Sequence, residues 1–371
     1  MNKKVKMILT NSFKNDIRVF KEAKTLANNG YDVEVLCWDR ENELLDKEYD
    51  NVEGIKVKRF YPFSKYGTGK KQIIPFIKFI FQVKKYLKNK KIDIIHCHDL
   101  DGLVTGYFIK SKKQKMIYDS HEFFSGYKGL YINKKIFYME KFLLKKVDNI
   151  IMVSKIVCQE FQKLYKIKQE PILLRNIPYY EKIDKKNNLL RKEFNISEDK
   201  KILLYQGGFQ RGRGIEDLIL LLKNLSEKFV LILIGKGPLK EKILELVEKN
   251  NLKDRVFIKN FIENKELIRY TNSADIGIYF IPKLTFNHLY CLPNKIFEFV
   301  QGEIPIVCSN FPDIKNLIIS YNLGITFDSI IECKENELLR LLETKKDIVK
   351  VKKELCWETE EKKLLNLYQN L

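Results

Sequence analysis

The sequence predicts an α/β protein of two domains, each built on a parallel sheet. Short β-branched runs alternate with helical patterns along the whole chain, as strands joined by crossover helices do. A length of 371 residues is long for one hydrophobic core and suits two of ordinary size. The alternation also breaks once, in the polar and charged stretch YYEKIDKKNNLLRKEFN at 179–195, and then restarts. The expected division is an N-terminal domain at 1–178, a linker at 179–198 and a second domain at 199–349.

In the first domain, Val5 to Thr10 reads as a strand. A helix follows from Ile17 to Asn29, with Val19, Ala23, Leu26 and Ala27 at core spacing and Gly30 as its stop signal. Further strands are predicted at Tyr31 to Cys37, Ile55 to Phe60, Ile92 to Cys97, Met116 to Asp119, Asn149 to Val153 and Pro171 to Leu174, with Ser154 capping a helix to about Tyr165. In the second domain the strands are Lys201 to Gln206, Phe229 to Gly235, Arg255 to Ile258, Asp275 to Phe280, Ile304 to Cys308 and Gly324 to Phe327. A last helix is predicted from about Ile348 to Gln369. Ligands of such sheets bind at the carboxyl ends of the strands, and two facing domains would make a cleft there.

Composition bounds the class. At 45% hydrophobic and 31% charged, the chain is that of a folded soluble protein. No run approaches the roughly 20 apolar residues of a membrane span, and the apolar start Val5 to Leu9 is too short for a signal peptide. The seven cysteines form no CxxC pair and read as reduced core residues of a cytoplasmic protein. The net charge of +20 comes from lysines spread along the whole chain, so no specific nucleic acid partner is expected. Residues 69–91, GKKQIIPFIKFIFQVKKYLKNKK, concentrate it around an apolar core. That segment reads either as an interfacial helix on an anionic membrane surface or as a core-facing helix with a solvated basic side.

Several motifs fall at strand ends. KILLYQ runs into GGFQRGRG, 207–214, before a helix; glycines admit close approach of a ligand, and Arg211 and Arg213 match phosphate. Lys236 in IGKGP is a lesser phosphate candidate. In CLPNKIFEF, Asn294 and Glu298 are spaced i,i+4 and Lys295 and Glu298 i,i+3, which puts all three on one face at a helix start, while Ile296, Phe297 and Val300 pack.

In the other domain, HCHDLDG and YDSHE hold three of the four histidines, and His121 with Asp119 and Glu122 is the functional candidate. His96 and His98 are read as alternating to opposite strand faces, which argues against joint metal ligation. The triplet Asp99-Leu100-Asp101 is read as a helix start rather than a metal motif. Asp16 either caps the first helix, leaving Arg18 to solvent, or serves as a carboxylate near an acceptor hydroxyl.

Taken in order, NDIRVFKEA, YDVEVLCW, DIIHCHDLDG, YDSHEFF, DNIIMVS, LLRNIP, LLYQGGFQRGRGIEDL, NSADIGIYF and CLPNKIFEF resemble glycosyltransferase family 4, over nearly the whole chain. The resemblance implies the GT-B fold, two Rossmann-like domains with parallel sheets facing a central cleft, donor nucleotide on the second and acceptor on the first. It also implies a C-terminal helix, about 350–371, that crosses back onto the first domain. By the same resemblance Arg213 and Gly214 meet the donor diphosphate with Gly208 before them, and Glu298 holds the nucleotide ribose. His121 contacts the transferred sugar, and the backbone around Phe261 and Ile262 meets the base.

The chain departs from the family eight residues before Glu298, where Tyr290 replaces the first glutamate of the E-x7-E motif. This LPNKIFE branch implies altered donor handling, with Lys295 and Asn294 toward diphosphate or sugar. The implied enzyme is a retaining transferase of cell-envelope glycan synthesis, using a nucleotide-diphosphate sugar and a lipid-linked or polysaccharide acceptor. No cofactor or obligatory metal is expected, and Asp16 is an optional base. The expected location is cytoplasmic or peripheral on the inner membrane face. The alternatives are a sugar-nucleotide epimerase of the same architecture and a non-catalytic polyanion- or membrane-binding protein.

Overall fold

The computed structural model describes residues 2–126, 129–260, 262–342 and 345–371. Two units emerge: Met1–Leu174 with Glu361–Leu371, and Arg175–Glu360.

Unit 1 contains β1 (Lys4–Leu9), β2 (Asp32–Trp38), β3 (Tyr49–Val52), β4 (Ile55–Phe60), β5 (Ile94–His98), β6 (Lys115–Ser120), β7 (Asn149–Met152) and β8 (Ile172–Leu173). They form one sheet in the order β3-β4-β2-β1-β5-β6-β7-β8, parallel throughout except for the β3–β4 hairpin. The sequence reading missed β3. Its residues YDNV carry little apolar signal, and the turn through Glu53 and Gly54, both at positive φ, sets the strand against β4. The connections are α1 (Ile17–Asn28), α2 (Ile73–Leu87), α3 (Asp99–Ile109), α4 (Lys134–Leu143) and α5 (Lys155–Tyr165). Strand order reverses direction at β1, so the loops after β1 and β5 open at a topological switch point.

Unit 2 contains β9 (Lys201–Gln206), β10 (Phe229–Ile234), β11 (Val256–Lys259), β12 (Ile276–Tyr279), β13 (Ile306–Ser309) and β14 (Gly324–Phe327), parallel in the order β11-β10-β9-β12-β13-β14. Its switch point lies between β9 and β12. Its helices begin with α6 (Leu189–Phe194), α7 (Ile215–Asn224), α8 (Lys240–Lys249) and α9 (Asn264–Asn272). They continue with α10 (Phe286–Leu289), α11 (Asn294–Gln301), α12 (Pro312–Ser320), α13 (Glu335–Leu341) and α14 (Lys345–Val351). Residues 175–198 belong to this unit: Leu190 and Ile196 lie in its core, and the Asn187 amide bonds Arg269 O at 2.8 Å. Ile296, Phe297 and Val300 are fully buried in the same core, together with Phe299.

The predicted last helix is two helices, α14 and α15 (Trp357–Gln369). The break is held by Gln301, whose Nε2 donates to Lys352 O at 2.8 Å and Leu355 O at 2.9 Å. Trp357 N then donates to Pro178 O at 2.7 Å. The end of α15 belongs to unit 1, where Glu361 accepts from Thr25 Oγ1 at 2.7 Å and the Tyr368 hydroxyl meets His96 Nδ1 at 2.8 Å. No helix among the described residues is long and apolar enough to cross a membrane.

Candidate active site

At the switch point of unit 2, β9 ends in Gln206 and loop 207–214 leads into α7. Gly214 has φ +69°, and a Cβ there would stand 2.1 Å from Phe280 O, the first residue after β12. Only glycine permits that approach, so the two loops are locked together. A Cβ at Gly212 would reach Leu284 and His288 of the same facing loop. A Cβ at Gly208 would come into ordinary van der Waals contact with the Gln210 side chain, 3.7 Å away. Arg211 and Arg213 are exposed. Burial pushes the Cys291 thiol up to about 12, against the pull of the Arg213 guanidinium.

Helix α11 starts at Asn294, which is exposed, with no carboxylate in its first turn. Lys295 Nζ lies 2.9 and 3.0 Å from the two oxygens of Glu298, so its charge is shared with that carboxylate. Gln206 Nε2 also donates to Glu298, and Gln206 Oε1 accepts from Thr271 Oγ1 at 2.9 Å. Gln206 therefore orients Glu298 from β9. Tyr290, at the end of α10, packs its ring 4.5 Å from Phe286. Ile262 packs against the unit's core, and Phe261 lies outside the described residues.

Two residues of this neighbourhood escaped the sequence reading. Gln206 carried a signal, as the last residue of the strand before the glycines. His288 carried none, because its place depends on how loop 280–293 folds against Gly212. Its Nδ1 lies 2.9 Å from Pro282 O, which fixes the proton on Nδ1. Lys236 is exposed, and its carbonyl accepts from Phe209 N at 3.0 Å in the turn that backs the glycine loop.

In unit 1 the strand ends gather a buried charge network. Arg18 grips Asp119 with Nη2 at 2.7 Å and Nε at 3.0 Å, lies 3.1 Å from Glu22, and donates from Nη1 to Leu174 O at 3.0 Å. The solvent-facing Arg18 that would accompany an Asp16 cap is thus not found. Arg18 is buried, because α1 turns that side toward Asp119 at the end of β6. Asp16 does cap α1, accepting from Val19 N at 3.2 Å and from Asn11 Nδ2 at 2.8 Å.

The reading of His96 and His98 on opposite faces is also corrected. Residues two apart on a strand share a face, and the two rings stack at 4.4 Å. With Glu22 and Asp119 they form a group whose ligand atoms all lie within 4.8 Å of one another. Arg18 already supplies the cation between the two carboxylates, which is the role a metal would take.

His121 follows β6, with its side chain 22% exposed. Its Nε2 faces Asp119 at 3.3 Å and its Nδ1 faces Asp99 at 3.5 Å, while its backbone N–H donates to Asp99 at 3.1 Å. Burial opposes a charge here, but Asp99 and Asp119 outweigh it and raise His121 to about 9. Asp99 adopts φ +60°, an uncommon conformation for a residue other than glycine, and so reaches His121. Burial holds His96 and His98 low, and burial with Asp119 holds the Glu22 carboxyl well above the usual range. Asp119 stays ionised: burial resists, but Arg18 and His121 keep it well below the usual carboxylate range. The Glu122 side chain is exposed, and its carbonyl accepts from Ser120 Oγ at 2.7 Å.

A family model described as Glycosyltransferase Family 4 matches residues 17–174, and one described as Glycosyl transferases group 1 matches 186–354. The chain belongs to glycosyltransferase family 4. It is an enzyme of the GT-B fold, with two parallel-sheet α/β domains. This glycosyltransferase is 23% identical over 280 residues to an uncharacterized glycosyltransferase of Methanocaldococcus jannaschii, covering 69% of this chain and 67% of that one. It is 30% identical over 138 residues to the chitobiosyldiphosphodolichol beta-mannosyltransferase of Candida albicans, covering 36% and 30%. Among solved structures, the Anabaena protein HepE in complex with UDP superposes with a TM-score of 0.76 over 99% of this chain and 100% of that chain, at 12% identity. That likeness is one of fold.

Proposed function

We propose that this glycosyltransferase moves a sugar, with retention at the anomeric carbon, from a nucleotide-diphosphate sugar to a hydroxyl of a lipid-linked or polysaccharide acceptor in cell-envelope glycan synthesis. The observation that carries the donor assignment is the joining of two loops at the unit 2 switch point: the glycine loop with Arg211 and Arg213, and the segment bearing Asn294, Lys295 and Glu298. HepE, of the same fold, has been crystallised with UDP. The name of the fungal relative specifies an acceptor that is itself a lipid diphosphate.

In this reading the diphosphate lies along the backbone of the glycine loop at Gly208 and Gly214, with Arg213. The Glu298 carboxylate, oriented by Gln206, accepts from the ribose hydroxyls and keeps lone pairs for them besides those bonded to Lys295 and Gln206. As the anomeric C–O bond to diphosphate breaks, negative charge grows on the leaving oxygen. Arg213, Lys295 and the start of α11 stabilise that charge without a metal. The acceptor oxygen bonds the anomeric carbon on the same face, and its proton passes to the leaving phosphate.

His121, held protonated between Asp99 and Asp119, serves as a fixed positive charge rather than as a base. Asp16 is committed to its cap, so no base role is given to it.

The test is incubation of the purified protein with nucleotide sugars and a lipid-linked acceptor fraction, with NMR assignment of the product anomer. A product that keeps the donor's anomeric configuration supports the reading, and the inverted anomer refutes retention. Epimerised donor in the absence of acceptor would refute transfer as the primary reaction.

A further inference from the structure

Loop 280–293, which faces the glycine loop at the unit 2 switch point, brings no carboxylate to it. The sequence has no acidic residue between Asp275 and Glu298 and none in 207–214, and Tyr290 stands where the first motif glutamate would be. Glu298 itself is engaged by Lys295 and Gln206. A sugar held against these loops offers several hydroxyl hydrogens, and each one taken out of water needs an acceptor. His288 supplies one.

The half-buried ring of His288 is fixed from two sides. Thr285 Oγ1 accepts from His288 N at 3.1 Å, which caps α10 and sets the residue in its first turn. Pro282 O is a carbonyl and only accepts, so the 2.9 Å contact makes Nδ1 the donor. Among the described residues Nε2 has no partner, and in the neutral imidazole it carries a lone pair and no hydrogen. Gly212 shows where that side of the ring lies. It has φ +77°, and a Cβ there would stand 3.6 Å from His288 Cε1 and 3.1 Å from Leu284 Cδ1. Cε1 is bonded to Nε2, so the free lone pair lies by the backbone that joins Arg211 to Arg213. Ionised phosphate oxygens have no hydrogen to give, so a bare acceptor nitrogen does nothing for the diphosphate and suits a hydroxyl of the group attached to it. The ribose hydroxyls fall to Glu298, which leaves those of the sugar.

We propose that His288 is a specificity-determining residue for the transferred sugar, its Nε2 accepting a hydrogen bond from one sugar hydroxyl. The inference rests on the donor reading of unit 2, and its experiment separates the failure of one from the failure of the other.

Wild type, His288→Asn and His288→Gln are titrated by calorimetry with UDP and GDP and with UDP- and GDP-linked hexoses. Asparagine keeps a donor at the Nδ1 position for Pro282 O and puts nothing at Nε2, whereas glutamine places its amide at the Nε2 position. His288→Asn should bind the hexose nucleotide about three- to tenfold more weakly while binding the parent diphosphate as wild type does, and His288→Gln should recover part of the loss. Retained diphosphate binding shows that each variant is folded. Loss of diphosphate and hexose nucleotide by the same factor in His288→Asn would make the residue a support of the loop or the diphosphate and overturn the proposal. Undiminished binding of the hexose nucleotide by His288→Asn would overturn it as well. Wild type that binds a diphosphate but no hexose nucleotide overturns the sugar contact and leaves the diphosphate site standing. Wild type that binds none of these ligands contradicts the donor reading, and the proposal falls with it.

Discussion

Both ring nitrogens of His121 face carboxylates, so its charge at neutral pH rests on Asp99 and Asp119. Asp99→Asn removes the partner that can be changed without opening the buried network. In an NMR titration the His121 signals should move at about pH 9 in wild type and at clearly lower pH in the variant. A pKa raised in the folded state stabilises most below the ordinary histidine value of 6.5 and loses that contribution as pH rises through about 9. Wild type should therefore lose more apparent melting temperature than Asp99→Asn between those values. Asp119, held low, has its own transition in acid, outside that window.

The grouping of His121 with Asp119 was legible from the end of one strand, and that of Lys295 with Glu298 from helix spacing at the start of α11. Glu22 was not, although it stands i,i+4 from Arg18 in NDIRVFKEA. Arg18 faced solvent in one of the two readings and Glu22 was given no role, because what buries Arg18 is Asp119, 101 positions beyond it. The chemistry of Gln206 is also relational. Gln206→Ala should weaken donor binding by loosening Glu298 while leaving the fold intact, and calorimetry with the donor nucleotide reads that loss.

Elements were predicted best where periodicity and buried runs coincide, as at Ile55–Phe60 and Lys201–Gln206, whose bounds were both anticipated. They were missed where long-range contacts decide. The α14–α15 break is made by Gln301, about fifty positions away, and β3 exists only as the partner of β4. Two predictions belong to this scale. Gly214→Ala puts a methyl into Phe280 O and a side chain at φ +69°, so it should cost about 1–3 kcal/mol in chemical denaturation and weaken donor binding with it. Tyr368→Phe leaves the buried His96 Nδ1 without its partner and should cost about 1–3 kcal/mol, read by the same denaturation.

At the scale of the whole molecule, the two-domain α/β architecture was legible because alternation restarts after one polar break. What lay beyond sequence was that residues 175–198 enter the core of unit 2; the return of the end of α15 to unit 1 is what the family resemblance implied. Each unit has a switch point, and the two carry different chemistry, a compensated charge network in one and an arginine-bearing glycine loop in the other. The account's central claim is that the second holds a nucleotide-diphosphate sugar.

The most direct test is a thermal-shift screen of nucleotide sugars against wild type, Arg213→Ala and Glu298→Ala, since a ligand that binds only the folded state raises the melting temperature by mass action. At least one nucleotide sugar should stabilise wild type. Loss of a charged hydrogen-bond partner should weaken it roughly ten- to a hundredfold in each variant without lowering the ligand-free melting temperature. An equal shift in all three proteins would contradict the site, and the absence of a shift with every nucleotide sugar would contradict the claim itself.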